Sequence, residues 1–373
     1  MAINLTLGIE EQYKPLINAL CSLPYFANKN ITKVAVISEG LSQPCFRVLA
    51  ENNEYFAKHL TSGNAEISAN QLATQYGIAP KLIYGEGEWL ITEFIPGELL
   101  QHCNISEDEK LAVLLSLLVK CHRLPVAETK TNVKTNKIET PQVTNVIPQL
   151  AIEQTISQLF EDLSLQQQSA DSRYLSLAQQ NRLQAIADVL LQELAQLKAG
   201  QSNDVFCHGD ANFSNVIKKE NSKKNTDNTR YQLIDFECAC IAPIEYELAM
   251  LMAVNEIQSS KTEQIIALYC QLSSRPHSSN TLQQSRLTNK ENKTINTAEN
   301  SMEIVDNLTV CIVDSGNINS VAVTRYEFLS FIINGLWYLI QFHQHQQEKY
   351  KKLANNQFLL LTERYPETSI VIK

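Results

Sequence analysis

The chain carries Cys207-His208-Gly209-Asp210-Ala211-Asn212-Phe213-Ser214-Asn215-Val216 and, beyond a polar stretch, Leu233-Ile234-Asp235-Phe236-Glu237. These two segments decide the fold. An apolar, strand-like Val205-Phe206-Cys207 runs into a loop with Asp210, and Asn215 follows five residues later. Val216-Ile217 and residues 231–236 read as the arms of a hairpin whose Lys/Asn-rich tip, residues 218–230, is solvated. Such a hairpin returns Asp235 close to Asn215. One carboxylate to orient a hydroxyl, with an amide and a second carboxylate to hold magnesium, is the set that phosphoryl transfer needs. Asp210 is therefore the candidate base, and Asn215 and Asp235 are the candidate metal ligands. Glu237 either reaches the metal or a substrate, or is structural. His208 reads as a buried histidine that bonds backbone near the metal loop.

Such a set needs a nucleotide site upstream. Ile31-Thr-Lys-Val-Ala-Val-Ile37 alternates and is rich in β-branched residues, so it predicts a strand. Cys45-Phe-Arg-Val-Leu49 and Tyr55-Phe-Ala-Lys-His-Leu60 follow, on either side of an Asn52-Asn53 turn. Residues 64–76 have a helical pattern ended by Gly77 and Pro80, and two further strands, residues 81–84 and 89–94, precede Pro96-Gly97. This order belongs to a small nucleotide-binding lobe. Glu39-Gly40-Leu41-Ser42-Gln43-Pro44 is either a plain hairpin turn or a loop offering N–H groups and the Ser42 hydroxyl to phosphate oxygens. Lys58, mid-strand, is placed to reach phosphates, with Glu66 on the next helix as its partner; the alternative is a solvated lysine and an unrelated surface acid. Glu93, through its carbonyl, and Ile95, through its N–H, either receive the edge of adenine or simply end a strand.

Beyond Gly97 the chain turns helical. Ser106-Glu-Asp-Glu109 has the form of a capping box, and residues 111–123 are apolar on most faces. Helices are predicted over 174–197, 246–269 and 326–364. Residues 126–150 and 273–303 read as insertions; the second is rich in Ser, Asn, Gln and Thr and is expected to be a mobile loop. Trp337, on the last helical stretch, is either core or a cation-holding aromatic in a pocket. The predicted fold class is α+β: an N-terminal lobe, residues 1–97, with a small antiparallel sheet and one main helix, and a larger helical lobe, residues 98–373.

Composition narrows the function. With 44% apolar residues among 373 the chain has ample material for two lobes, and its net charge of −9 argues against a nucleic-acid or anionic-lipid surface. Nine scattered cysteines lack paired spacings, so reduced, buried thiols are expected. No apolar run reaches membrane-spanning length, and the start of the chain has no signal-peptide pattern; a cytoplasmic protein is expected.

The sequence resembles the aminoglycoside phosphotransferase and choline kinase superfamily, from about Val34 to Leu360. The resemblance rests on His208-Gly209-Asp210 with Asn215 and on Leu233-Ile234-Asp235-Phe236-Glu237. Gly77-Ile78-Ala79-Pro80-Lys81, Phe94-Ile95-Pro96-Gly97 and Cys121-His122-Arg123-Leu124-Pro125 support it. Asp-Phe-Glu and Gly335-Leu336-Trp337 are most similar to the thiamine kinase and choline/ethanolamine kinase branch. The resemblance implies a protein-kinase-like fold and ATP- and magnesium-dependent transfer to a small, cationic, hydroxyl-bearing metabolite. It implies Asp210 as base, Asn215 and Asp235 on magnesium and Lys58 on the ATP phosphates. Two positions depart from choline kinases, which usually place an aromatic where this chain has Asn334 and a tyrosine where it has Cys238. An aminoglycoside-modifying kinase and a nucleotide-binding regulatory protein without catalysis are the rival expectations.

Overall fold

The computed structural model describes residues 11–37, 43–61, 65–126, 147–167, 174–198, 204–220, 230–274 and 318–365. The structural calls on Ser42, on the hairpin tip and on most of 273–303 lie outside them, as does the bulk of 126–150.

An α1 helix, Lys14–Cys21, leads into an antiparallel five-stranded sheet: β1 Ile31–Ile37, β2 Cys45–Ala50, β3 Asn53–His59, β4 Leu82–Glu86 and β5 Trp89–Glu93. Their order across the sheet is β1-β2-β3-β5-β4. Glu51 and Asn52 adopt the left-handed conformation that a tight turn between β2 and β3 requires. Val34, Phe46, Val48, Ala57 and Ile91 alternate inward, and with Ile17, Leu20 and Phe26 of the N-terminal segment they close one core. Between β3 and β4 lies α2, Ala65–Gln75. Gly77 ends it at φ 70°, and the Ile78 N–H returns to the Ala73 carbonyl at 3.0 Å.

Strand β6, Gly97–Leu99, leaves this lobe and pairs with β8, Val216–Lys219, which pairs in turn with β9, Tyr231–Leu233. The helices of the second lobe are α3 Glu107–His122, α4 Ile152–Gln167, α5 Leu177–Lys198, α6 Ile244–Val254, α7 Thr262–Ser273, α8 Ser320–His345 and α9 Glu348–Arg364. The capping box at Ser106 is present, with the Glu109 N–H on Ser106 Oγ at 3.3 Å and the Ser106 N–H on Glu109 Oε2 at 2.9 Å. The second core is continuous from Leu114 and Leu118 of α3 through Phe206 and Phe236 to Leu248, Leu329 and Phe358.

Two predicted helices are each divided. The 246–269 stretch breaks after Val254 because Glu256 takes φ 55°, and the 326–364 stretch breaks at Gln346, φ 54°. Left-handed residues stop a helix whatever the periodicity around them. Helix α4 was not expected, although Ile156 and Leu163, both fully buried, recur at helical spacing.

Candidate active site

Lys58 sits in β3 opposite Cys45 of β2 and Leu90 of β5, which places its stem among buried neighbours. Only 3% of it is exposed. Its ammonium donates to three carboxylates: Asp235 Oδ1 at 2.6 Å, Glu66 Oε1 at 3.0 Å and Glu237 Oε2 at 3.0 Å. Glu66 reaches it from the first turn of α2. Burial disfavours the Lys58 charge, but the three carboxylates outweigh burial and hold its pKa above the ordinary lysine value. For Glu66 the balance goes the other way: burial pushes it up to about 7 against the pull of Lys58. Gln43, which no sequence pattern singled out, donates to Glu237 Oε2 at 3.4 Å.

The second half of the site is the loop after β7, Asp204–Cys207, which pairs with β10, Cys240–Pro243. A short 3-10 turn over Phe213–Asn215, capped by Asn212 Oδ1 on the Ser214 N–H at 2.9 Å, folds Asn215 back on Asp210. Asn215 Nδ2 then donates to Asp210 Oδ2 at 2.8 Å and to the Asp210 carbonyl at 3.0 Å. The Ile234 N–H donates to the Asn215 carbonyl at 2.9 Å, so the predicted hairpin does bring the Asp235 loop to Asn215. Asp235 itself takes φ 65°. Burial pushes the Asp210 carboxyl up to about 6; His208 and the Asn215 amide oppose this, and the charges of Asp235 and Glu237 add to it.

His208 is fully buried and donates from Nε2 to the Ile234 carbonyl at 2.9 Å, while its Nδ1 accepts the Asp210 N–H at 3.3 Å. It joins the two loops, as the sequence reading expected. Two residues that hold the loop were not foreseen. Glu247, fully buried in the first turn of α6, accepts the His208 N–H at 2.5 Å and the Gly209 N–H at 3.2 Å. His122 Nε2 stands 3.8 Å from the same carboxylate, and His122 Nδ1 meets the Tyr269 hydroxyl at 2.7 Å. Asn255 accepts the Phe213 N–H at 2.9 Å and donates to the Ala211 carbonyl at 2.8 Å. The one available signal for Glu247 was a lone acid inside the apolar run Ile244–Val254.

At the end of β5, the Glu93 carbonyl accepts the Thr92 hydroxyl at 3.1 Å, and Glu93 Oε1 accepts the Lys81 N–H at 3.1 Å. Ile95 is half-buried in the link to β6. Trp337 lies on α8, edge-on to Tyr338 at 5.3 Å and to Tyr350 of α9 at 6.4 Å. The eight described cysteines are free thiols. Cys238 is exposed rather than buried, because it falls in the loop that follows the core residue Phe236. Oxygens of Glu66, Asp235 and Glu237 lie within 4.8 Å of one another. Carboxylate oxygens of this kind suit magnesium, and here all three residues accept from the Lys58 ammonium.

A family model for choline/ethanolamine kinases matches residues 35–361. The chain belongs to this family. Several solved structures are similar to it in fold. Choline kinase LicA from Streptococcus pneumoniae superposes with a TM-score of 0.59 at 15% identity, over 95% of this chain and 100% of that one. A choline kinase from Cryptosporidium parvum gives 0.58 at 16% identity, over 95% of each chain. Spectinomycin phosphotransferase gives 0.51 at 13% identity, over 94% of each chain. LicA has also been crystallised with AMP. No curated protein sequence matches. The fold is thus the two-lobed one of the kinase family. Family membership makes the chain a nucleotide-binding phosphotransferase with a small hydroxyl-bearing acceptor. No described helix is long and apolar enough to cross a membrane.

Proposed function

We propose that this kinase transfers the γ-phosphate of ATP, with magnesium, to the hydroxyl of a small cationic metabolite related to choline, ethanolamine or thiamine. The observation that carries the reading is the juxtaposition of two halves. Asp210 is held by Asn215, and Asp235 is held by the Lys58–Glu66 pair. Asn215 ties down Asp210 Oδ2, so Oδ1 is the oxygen that receives the acceptor hydroxyl. Burial keeps that carboxylate basic enough to accept the proton as the O–P bond forms. Lys58, fixed by Glu66, holds the non-bridging phosphate oxygens, and Ser42 adds a hydroxyl to the same phosphates. The Glu93 carbonyl and the Ile95 N–H take the adenine edge. Asn215 and Asp235 would hold magnesium, with Glu237 beside them; the ion would neutralise charge on the phosphates. Residues 1–97 form the nucleotide lobe and residues 98–373 carry the acceptor, with Trp337 facing its cation.

The test is a coupled ADP-release screen over thiamine, choline, ethanolamine, aminoglycosides and sugars, with Asp210→Asn as control. We expect turnover of a cationic alcohol, and a loss of at least about 100-fold in kcat for the variant with nucleotide binding retained. Turnover near wild type in Asp210→Asn refutes the assignment. Tight Mg·ATP binding without turnover of any acceptor points to a regulatory protein instead.

A further inference from the structure

Helix α2 stands in both lobes. Its first turn carries Glu66, which holds Lys58 at 3.0 Å, and Ile67 there packs with Leu60 and Leu90 of the first lobe. Ala69 and Ala73 farther along, with Ile78 and Ala79 beyond its end, are buried in the same core as Leu233 and Phe236 of the second. Two hydrogen bonds stitch that end to β9. The Leu233 N–H donates to the Ile78 carbonyl at 2.9 Å, and Gln232 Nε2 donates to the Ala79 carbonyl at 2.9 Å. The Thr74 hydroxyl donates to the Pro80 carbonyl at 2.7 Å, which keeps this segment on the helix. Asp235 follows β9 two residues later and accepts from Lys58 at 2.6 Å. These contacts close a ring: from Lys58 to Glu66, along α2 to Ile78 and Ala79, across to β9, and through Asp235 back to Lys58.

Gln232 is the member of this ring that packing alone would not choose. It is 5% exposed, and among the described residues its Oε1 has no partner. The amide cannot be turned over, since that would set its oxygen against the Ala79 carbonyl. A leucine or methionine would fill the place without leaving a buried oxygen unmatched. What the amide adds is a second anchor, one residue from the backbone bond of Leu233. Two anchors fix a direction as well as a distance between α2 and β9. Phosphates held by Lys58 and a metal held by Asp235 need that precision, because a misplacement of about 1 Å between reacting groups is costly.

We propose that Gln232 is a positioning residue: through the end of α2 it sets the spacing between the Lys58–Glu66 pair and Asp235, and with it the fit of the nucleotide phosphates to their metal ion. This rests on the kinase reading above, in which Lys58 takes the phosphates and Asp235 holds magnesium.

The test measures ATP binding by calorimetry with and without Mg2+, alongside thermal melting, for wild type, Gln232→Met and Gln232→Leu. In wild type, Mg2+ tightens ATP binding at least about tenfold. In Gln232→Met that gain shrinks about fivefold, which is what one lost hydrogen bond is worth. The metal-free Kd for ATP stays within about twofold, because the Lys58–Glu66 pair is intact. The melting temperature stays within about 4 °C, because one unmatched oxygen is removed as one carbonyl loses its donor. Gln232→Leu shows the same pattern and serves if the methionine variant does not fold. An equal weakening of both affinities with a larger fall in melting temperature, or failure of both variants to fold, marks a merely structural amide and overturns the proposal. An unchanged gain from Mg2+ in a folded variant overturns it too, and leaves the kinase reading intact. A wild type whose ATP affinity does not respond to Mg2+ removes the metal reading and the proposal together.

Discussion

Gly209 is the tightest point of the candidate active site, and alanine there is the sharpest perturbation of it. The residue sits at φ 78°, between His208 and Asp210, whose positions are tied elsewhere. An alanine Cβ would fall 2.1 Å from the Cys238 carbonyl oxygen and 2.8 Å from its carbon. Real Cβ contacts do not come below 3.0 Å, so the two loops must part by about 1 Å. Little can yield on the Gly209 side. Its N–H is bonded to Glu247, and the preceding His208 is bonded to the Ile234 carbonyl. On the other side, Cys238 belongs to the loop that carries Asp235 and Glu237. Relief therefore separates Asp210 from Asp235. The left-handed backbone costs alanine about 1–2 kcal/mol besides. A misplacement of about 1 Å in reacting groups lowers rates about 100-fold. The expected result for Gly209→Ala is thus a kcat about 100-fold down in a coupled ADP-release assay. The nucleotide Kd should stay within about threefold by calorimetry, because the Lys58–Glu66 pair joins β3 to α2, outside both displaced loops. A folded Gly209→Ala protein with kcat within about threefold of wild type would refute the reasoning.

Two further predictions concern buried charge. Glu247→Gln retains one acceptor but turns an NH2 toward a backbone N–H, and should cost about 2–4 kcal/mol in urea unfolding. Burial works against the Glu247 charge, yet His122, His208 and the Gly209 N–H together hold its pKa below the ordinary carboxylate value. Its stabilisation is therefore complete above the unfolded-state value of 4.5 and is lost as pH falls through the lower folded value, so wild type and variant should converge below about pH 4.5. Parallel curves across that range would contradict this. Lys58→Met leaves Glu66, 5% exposed, without its cation, and should lower stability by about 3 kcal/mol and nucleotide affinity about tenfold or more. Adding Glu66→Gln should restore most of the stability, measured by thermal melting, and none of the affinity.

Much of this site was legible because it is local. The five-residue step from Asp210 to Asn215 works through a single 3-10 turn, and the hairpin to Asp235 is a short-range device. The strands of the first lobe follow from alternation and β-branching, and the Ser106 capping box from four adjacent residues. The helix breaks at Glu256 and Gln346 escaped the sequence reading because their left-handed backbones interrupt otherwise helical patterns. Helix α4 escaped it although its apolar stripe is present in the sequence.

By itself, then, the sequence determined the α+β order of elements, the family and the constellation of Asp210, Asn215 and Asp235. Each of these depends on spacing within a segment or on residue type. Only the tertiary structure decided that Glu66 rather than another acid meets Lys58, and that Lys58 is shared with Glu237. It alone placed Glu247 and Asn255 against the loop that carries Asp210. These contacts join residues separated by helices and sheets, and burial makes them strong: a buried N–H or charge must find its partner wherever packing brings one.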